Sequence, residues 1–247
     1  MAAGLKSKLK KNLPVFIIRS LNRLGLHPGF VPPVGKINWG DFKSVIPFSH
    51  YFGFDRGGPV DRYYIENFLE SQSHHVKGNV LEIADNAYTL KYGGDKLIKS
   101  DVLHLNPDTP GATYSGDLSK ADHLPSDHFD CIILTQTLHY IYDYKAALKH
   151  CYRILKKDGV LLLTTCGISS IERGTWGKLW LWSFNDNSMK LIFGELFPED
   201  SFTVQTYGNI YAAITLLHGV GIVEVDKAKL DERDEAFDVI ITVKLTK

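Results

Sequence analysis

Two histidines are the residues of this sequence best suited to acid–base chemistry. His139 follows an apolar run at residues 129–134, and His50 lies in a segment, residues 49–64, where aromatic, charged and glycine residues are densely mixed. An imidazole titrates near neutral pH, so either side chain could serve as a general base. Each could equally be structural, His139 as a histidine packed at the start of a helix. The sequence alone leaves both interpretations open.

Carboxylates at the ends of two predicted strands suggest a nucleotide site. Glu82 closes a short apolar strand, and the turn that follows is built from small and polar residues. These turn residues are Ala84, Asp85 and Asn86. In doubly wound α/β domains such a turn begins the nucleotide-binding loop, and a carboxylate at the end of the next strand accepts the ribose hydroxyls. Asp101, 19 residues beyond Glu82, is predicted to hold that position, with a turn-capping aspartate as the alternative.

Alternating strand-like and helix-like segments predict one α/β domain. Apolar segments predict strands at residues 79–84, 96–99, 112–115, 129–134, 160–165, 202–207 and 237–245, the second of which runs into Ser100, Asp101 and Val102. Helical periodicity predicts helices at residues 61–71, 144–157, 187–196 and 209–218. This order favours a doubly wound, mostly parallel seven-stranded sheet of the Rossmann-like kind, with an antiparallel last strand. We predict that this domain spans residues 61–247, after an N-terminal helical cap at residues 1–60.

A basic amphipathic helix is predicted over residues 5–26. Apolar residues recur there mostly three or four positions apart, at Leu5, Leu9, Leu13, Phe16, Ile17, Leu21 and Leu24. Residues 1–40 hold seven lysines and arginines and no acid. The helix could dock on the core as a cap with a solvated cationic face. Alternatively, it could bind an anionic membrane surface or a phosphate-bearing partner.

The composition argues against several classes of protein. Basic and acidic residues balance at 28 each, which argues against nucleic acid as the main partner. The sequence has neither a recognisable secretory signal nor an apolar stretch long enough to span a bilayer, so we predict a cytoplasmic protein. We expect Cys131, Cys151 and Cys166 to be reduced core thiols. The scattered histidines predict no metal site.

The element Leu124-Pro125-Ser126-Asp127-His128-Phe129-Asp130 and the turns quoted above resemble a known enzyme family. This is the small-molecule, methyltransferase type 11-like group of class I S-adenosylmethionine-dependent methyltransferases. The resemblance covers residues 61–245 and is strongest from 79 to 166. The chain also looks like a branch associated with bacterial polysaccharide and glycolipid gene sets. The resemblance implies S-adenosylmethionine as the cofactor, lying across the C-terminal strand ends.

The resemblance also assigns residues to the cofactor. Asp117 matches the position whose carboxylate meets the adenine amino group, and Leu118 the position that packs on the ring. A helix N-cap is the alternative for Asp117. Arg56 and Tyr63, with Asp61, could close over the cofactor tail or over an acceptor phosphate. The predicted cofactor-binding set is Glu82, Ala84, Asp85, Asn86, Asp101, Val102, Asp117, Leu118, Thr135, Arg56 and Tyr63.

The turn after the first strand departs from the family pattern because it has no glycine. The family's Glu-x-Gly-x-Gly-x-Gly stands here as Glu82-x-Ala84-x-Asn86-x-Tyr88. Ala84 keeps the bulk low, and Asn86 is expected to adopt the left-handed backbone conformation that a glycine would supply. Tyr88 could pack across the helix start, or it could fill the space of the methionine tail.

We predict an O-methyltransferase that acts on a hydroxyl of a sugar, glycolipid or natural product. His139 would be the catalytic base, with His50 folded over the site. The residues predicted to bind the small-molecule or glycan acceptor are Tyr140, Trp176, Trp180 and Trp182. Core packing is the alternative for the tryptophans. N- or C-methylation, a non-catalytic methyltransferase-fold partner protein, and assembly as a homodimer all remain open.

Overall fold

The computed structural model describes residues 13–24, 26, 30–174 and 176–247. The chain forms two compact units, Met1–Val45 and Ile46–Lys247. The first unit contains helix α1, Val15–Arg23, which is part of the amphipathic helix predicted from sequence. The predicted positions Leu5 and Leu9 lie outside the described residues.

The segment at residues 46–60, which the sequence assigns to the cap, is part of the second unit. Backbone hydrogen bonds account for this difference. The amide of Phe48 donates to the carbonyl of His218 at 2.7 Å, and the amide of Ile222 donates to the carbonyl of Gly58 at 2.8 Å. The compact α/β unit therefore begins before the first predicted strand and includes the aromatic segment around His50.

The second unit is built on a seven-stranded sheet with the order β3-β2-β1-β4-β5-β7-β6. The strands are β1 Gly78–Ile83, β2 Leu97–His104, β3 Tyr114–Ser115, β4 Phe129–Thr135, β5 Leu155–Cys166, β6 Phe202–Tyr207 and β7 Ile240–Thr246. β7 is antiparallel to both β5 and β6, and the pairs from β3 to β5 are parallel. The predicted mostly parallel sheet with an antiparallel last strand is confirmed.

Helices cover both faces of this sheet. In chain order they are α2 Asp61–Ser71, α3 Ala87–Gly93, α4 Tyr144–Ile154, α5 Asp186–Leu196, α6 Ile210–Leu217 and α7 Lys227–Leu230. Apolar residues of α4 and α5 join one core cluster, and those of α2 and α6 join the other. The sheet is therefore doubly wound, as predicted.

Strand β4 shows why the sequence produces a sheet covered on both sides. Ile132 and Leu134 belong to the cluster under α4, whereas Cys131 and Ile133 belong to the cluster under α2. All four are fully buried. Successive side chains of a strand point to opposite faces, so a continuously apolar strand needs cover on both. This arrangement holds the carboxyl end of β4, and the residues after it, in a fixed position.

The end of one strand and the end of one helix show how the structure departs from the prediction. Strand β2 continues to His104, so Asp101 lies inside it. Helix α4 ends at Ile154, three residues earlier than expected, because Leu155 is already paired with Phe129 at the start of β5. Asp158, which directly follows the predicted helix, has a φ of 63° and lies within β5 rather than before it. Strand pairing overrides the local signals at both places.

The three cysteines are free and buried, as the sequence predicts. Cys131 and Cys151 lie in the two core clusters, and Cys166 is the last residue of β5. Burial raises the pKa of the Cys166 thiol to about 12, so it is a neutral thiol. At the end of β5, Cys166 is a neighbour of His139.

Candidate active site

The strand order defines where a ligand belongs. From β1 the chain steps outward through β2 to β3, then returns to the other side of β1 with β4. Ligands of doubly wound sheets bind outside the carboxyl ends of the strands at such a reversal. Two segments leave the sheet there, residues 84–87 after β1 and residues 136–140 after β4. We call the region between these two segments the switch-point site.

Glu82 lies beneath the turn after β1 and holds it in place. Its Oε2 accepts a hydrogen bond from the amide of Thr89 at 2.7 Å, and its Oε1 accepts one from the amide of Tyr88 at 3.3 Å. Burial raises the pKa of Glu82 to about 7, and the two amide bonds only partly offset that effect. The carboxylate thus caps the first turn of α3, whose N-cap residue Asn86 makes no capping hydrogen bond of its own.

The glycine-free turn is closed by Ala84. Its φ is +80°, and its amide donates to the carbonyl of Leu103 at 3.0 Å, which joins the turn to β2. Asn86 has a φ of −127°, so the expectation that Asn86 takes the left-handed conformation is wrong. Asn86 instead donates from Nδ2 to the Ser100 hydroxyl at 3.1 Å. Asp85 is exposed and accepts from the amide of Ala87 at 2.9 Å.

Tyr88 packs between α2 and α3. Its hydroxyl accepts a hydrogen bond from Nη1 of Arg62 at 3.2 Å. Its ring stacks with that of Tyr92, with 6.1 Å between ring centroids, and it packs against the core cluster under α2. This geometry matches the first of the two alternatives, a tyrosine that packs across the helix start.

Asp101 does not lie at the strand end predicted for it. It pairs with Leu81 in the middle of β2, its side chain is fully buried, and Val102 beside it is buried as well. Oδ1 of Asp101 lies 2.8 Å from Nζ of Lys99. The predicted placement is wrong because the polar Ser100 and Asp101 resemble a strand end, whereas backbone pairing with β1 continues beyond them.

His104 occupies the end of β2 instead. Its Nδ1 accepts a hydrogen bond from the amide of Asn106 at 3.0 Å and lies 2.7 Å from the hydroxyl of Thr109. Because a backbone amide can only donate, the neutral ring carries its hydrogen on Nε2. A half-buried N–H donor therefore stands where the sequence placed a carboxylate.

Asp117 and Leu118 follow β3. The carboxylate of Asp117 accepts from both the amide and the hydroxyl of Ser119, each at 2.8 Å, and so caps a short 3₁₀ helix. Leu118 is buried in the core cluster under α4. Asp117 therefore acts as a helix N-cap, which was the alternative interpretation. It is half-buried at the carboxyl edge of the sheet.

His139 is the buried ionisable group of the switch-point site. Only 1% of it is exposed, and burial lowers its pKa to about 4. Its Nδ1 lies 3.8 Å from Sγ of Cys166, and its Nε2 has no hydrogen-bond partner. A buried nitrogen without a partner is costly, so this atom is a natural contact for a ligand.

Aromatic rings surround His139. The ring centroids of Trp180 and Tyr140 lie 4.3 Å and 4.1 Å from that of His139, and Trp176 lies 5.9 Å from Tyr140. Phe52 stacks on Trp180 with 6.4 Å between centroids. We call Phe52, Tyr140, Trp176 and Trp180 the aromatic group. The segment containing His50 thus reaches the site through Phe52, while His50 itself is exposed.

Three predicted residues are engaged elsewhere. Arg56 forms a two-pronged ion pair with Glu224. The hydroxyl of Tyr63 donates to Asp231 at 2.6 Å, beside a cleft at the end of the edge strand β6. Trp182 donates from its indole nitrogen to the carbonyl of Ile141 at 3.0 Å and packs with the core cluster under α4. Trp182 is therefore packed against the core, which was the alternative interpretation for the tryptophans.

Two further residues complete the switch-point site. Oδ1 of Asp61, the first residue of α2, is buried without a hydrogen-bond partner. Burial raises the pKa values of Tyr88 and Cys166, and the negative charge of Asp61 adds a smaller contribution to each. Gln136 has a φ of +46° directly after Thr135, the last residue of β4, and its amide donates to the carbonyl of Thr164 at 2.8 Å. No pattern in the sequence points to Gln136.

The sheet and the switch-point site together define a Rossmann-like methyltransferase fold. The sequence matches the family model described as a methyltransferase domain over residues 48–206, and the chain belongs to this family. The prediction of a class I S-adenosylmethionine-dependent methyltransferase is confirmed. No curated protein matches the sequence at a significant level.

Solved structures are similar to this chain at low sequence identity. A SAM-dependent methyltransferase from Archaeoglobus fulgidus is 13% identical, with a TM-score of 0.52 over 75% of this chain and 94% of that chain. A methyltransferase from Mesorhizobium loti is 17% identical, with a TM-score of 0.48 over 77% and 99% of the two chains. The N-methyltransferase NodS from Bradyrhizobium japonicum, in complex with S-adenosyl-L-homocysteine, is 15% identical, with a TM-score of 0.47 over 78% and 89%.

Proposed function

We propose that this chain transfers a methyl group from S-adenosylmethionine to a hydroxyl of a sugar, glycolipid or natural product. The observation that carries the proposal is the unpartnered Nε2 of His139, buried among aromatic rings at the switch point. A neutral amine is nucleophilic without losing a proton, whereas a hydroxyl is a weak nucleophile and benefits from a base that removes its proton. The site therefore favours oxygen as the acceptor atom.

Three groups of the site fit the cofactor. The exposed turn at residues 84–87 offers a backbone edge at the start of α3. His104 presents an Nε2–H donor at the end of β2, suited to the ribose oxygens. Asp61 has a buried oxygen without a partner beside that turn, suited to the ammonium of the methionine tail. A buried carboxylate gains most from a cationic partner, because pairing offsets its desolvation.

His139 and Cys166 would move the acceptor proton. S-adenosylmethionine supplies a methyl group on a sulfonium, which is transferred by in-line displacement, so alignment provides much of the rate. Nδ1 of His139 lies 3.8 Å from the Cys166 sulfur, and in the tautomer that carries its hydrogen on Nδ1 the ring keeps a lone pair on Nε2 for the hydroxyl proton. Because burial lowers the pKa of His139 to about 4, the ring is neutral at neutral pH, so one of its nitrogens is unprotonated.

The aromatic group would hold the acceptor. Trp176 is 45% exposed, and Trp180 and Tyr140 are half-buried, so part of each ring is open to a ligand. Flat aromatic faces pack well on the C–H faces of sugars and on planar natural products. Thr135 ends β4 four residues before His139, and Trp176 reaches the site through its ring contact with Tyr140. This arrangement supports a ring-shaped acceptor.

A product-level assay tests the proposal. The purified chain is incubated with methyl-labelled S-adenosylmethionine and three matched acceptor panels: glycosides and phenols, amines, and carbon nucleophiles. We expect labelled methyl ethers from the first panel, identified by mass spectrometry and NMR. Preferential N- or C-methylation would contradict the assignment of oxygen.

A non-catalytic partner protein is the second candidate, and the glycine-free turn with its positive φ at Ala84 favours it. Cofactor binding without turnover on any panel would support this candidate. Cytoplasmic location and a homodimer stay predictions.

A further inference from the structure

The described part of the first unit has no hydrophobic core. None of the residues whose burial is described there, 13–22, 24, 26 and 30–45, is buried. Its large apolar side chains are exposed at Val15, Phe16, Leu24, Leu26, Val31, Val34, Ile37, Trp39, Phe42 and Val45. Phe16 is 70% exposed and Trp39 is 61% exposed. Apolar surface on this scale is costly in water and marks a contact with another phase or partner.

Helix α1 also requires support from outside. It has nine residues, its N-cap is Pro14 without a side-chain hydrogen bond, and its first turn holds no acid. Isolated helices of this length are marginal in water even when their sequence favours helix. A surface that takes up the apolar side chains of α1 would supply the missing stabilisation.

Charge identifies the kind of surface. Residues 13–45 contain four basic residues, Arg19, Arg23, Lys36 and Lys43, against one acid, Asp41, and four more lysines precede them in the sequence. Nη2 of Arg19 donates to the carbonyl of Lys36 at 2.7 Å, which ties α1 to the irregular segment after it. Basic and apolar residues are therefore combined in one element, a combination that suits an anionic, apolar partner.

A lipid surface fits these residues better than a shaped partner does. The exposed apolar residues are spread over a helix and an irregular segment from Val15 to Val45, rather than gathered in one groove. Trp39 is the N-cap of the short 3₁₀ helix Gly40–Lys43 and Phe42 lies within it, and tryptophan favours the boundary between lipid and water. No helix among the described residues is long and apolar enough to cross a membrane.

We propose that residues 13–45 bind the surface of an anionic lipid bilayer and attach the methyltransferase unit to it. Apolar side chains around Phe16 and Trp39 enter the boundary region, while Arg19, Lys36 and Lys43 face the lipid phosphates. Each basic residue near an anionic surface contributes roughly a fivefold gain in binding. This inference goes beyond the proposed function and is independent of it.

Vesicle flotation of the full chain tests the inference. The probes are vesicles of phosphatidylcholine alone and vesicles with about one third phosphatidylglycerol. We expect flotation with the anionic vesicles, and a loss of at least about tenfold with neutral vesicles or in about 1 M salt, which shortens the screening length to roughly 3 Å. The double variant Phe16→Ser, Trp39→Ser is expected to lose binding by a similar factor.

A matched control distinguishes lipid binding through this surface from nonspecific adsorption by any exposed apolar side chain. Ile98→Ser removes an apolar side chain that is 82% exposed in the second unit, and it should leave flotation unchanged. Equal flotation of the double variant and the wild type would overturn the proposal. So would a wild type that floats with neither vesicle, or that self-associates through Phe16 and Trp39 without binding lipid. Cofactor titration of the same samples reports separately on the methyltransferase site.

Discussion

The two segments that flank the switch-point site differ in whether their polar groups have hydrogen-bond partners within the protein. The segment after β1 is satisfied internally, because Glu82 accepts the first amides of α3 and Asn86 donates to Ser100. The segment after β4 leaves a buried nitrogen of His139 without a partner. Of these two segments, the second therefore holds a buried nitrogen that a ligand would satisfy. The comparison indicates that the β1 side supports position, whereas the β4 side performs chemistry.

The largest effect is expected at His139. His139→Gln keeps a side chain of similar size but removes the basic nitrogen, so we expect kcat to fall by about 10²- to 10⁴-fold with an O-acceptor. The cofactor Kd should stay within about twofold, since the cofactor groups lie on the β1 side. Steady-state kinetics and calorimetry of the same preparation measure both. A variant with unchanged kcat would show that His139 only packs.

The next largest effect is on the unfolding free energy and concerns Glu82. Burial raises the pKa of Glu82 from 4.5 to about 7, so the folded state holds the proton more tightly than the unfolded state does. Stability is then fully present below pH 4.5 and declines as the pH rises toward 7. The shift corresponds to about 3 kcal/mol of unfolding free energy.

Urea denaturation at a series of pH values measures this contribution. In Glu82→Gln the decline between these two pKa values should be absent, because the amide does not titrate. Asp85→Asn, an exposed change in the same turn, is the matched control and should retain the decline. The same slope in Glu82→Gln and the wild type would refute the assignment.

A smaller effect tests the end of β2. His104→Ala removes one N–H donor from the proposed ribose contact, so the Kd for S-adenosylmethionine should rise about three- to tenfold. Asp101→Asn is the control, since Asp101 is buried inside the strand and should affect stability rather than cofactor affinity. Calorimetric titration distinguishes them. If Asp101→Asn weakened binding and His104→Ala did not, the sequence-based choice of Asp101 would be restored.

The smallest effect concerns the strained turn. Ala84→Gly should raise the unfolding free energy by about 1 kcal/mol, because glycine adopts a φ of +80° without the Cβ penalty. Ala87→Gly, at the start of α3, should lower it by about as much. Both are read from urea midpoints with unchanged slopes. A destabilised Ala84→Gly would contradict the described backbone of the turn.

The sequence predicts those features that local pattern controls. The apolar run of β4 requires a covered sheet, and Asp143 and Asn185 cap helices close to where periodicity places them. The end of β2 is not predictable in this way, because it depends on pairing with β1 rather than on the polarity of Ser100 and Asp101.

Two features of the site depend on contacts distant in sequence. Asn86 has the better intrinsic preference for left-handed backbone, yet Ala84 takes it, since the amide of Ala84 must reach the carbonyl of Leu103. The stacking of Phe52 on Trp180 joins residues 128 positions apart, which no local pattern records. Predictions at these places fail because tertiary geometry selects the conformation.

Calorimetric titration with S-adenosylmethionine and S-adenosylhomocysteine tests the central claim, that the switch-point site holds the cofactor. We predict binding of about micromolar strength by the folded wild type. Asp61→Asn should weaken it by about tenfold or more, while Asp95→Asn, an exposed change, should leave it unaltered. A folded wild type that binds neither compound, or an Asp61→Asn variant that binds as the wild type does, would contradict the account.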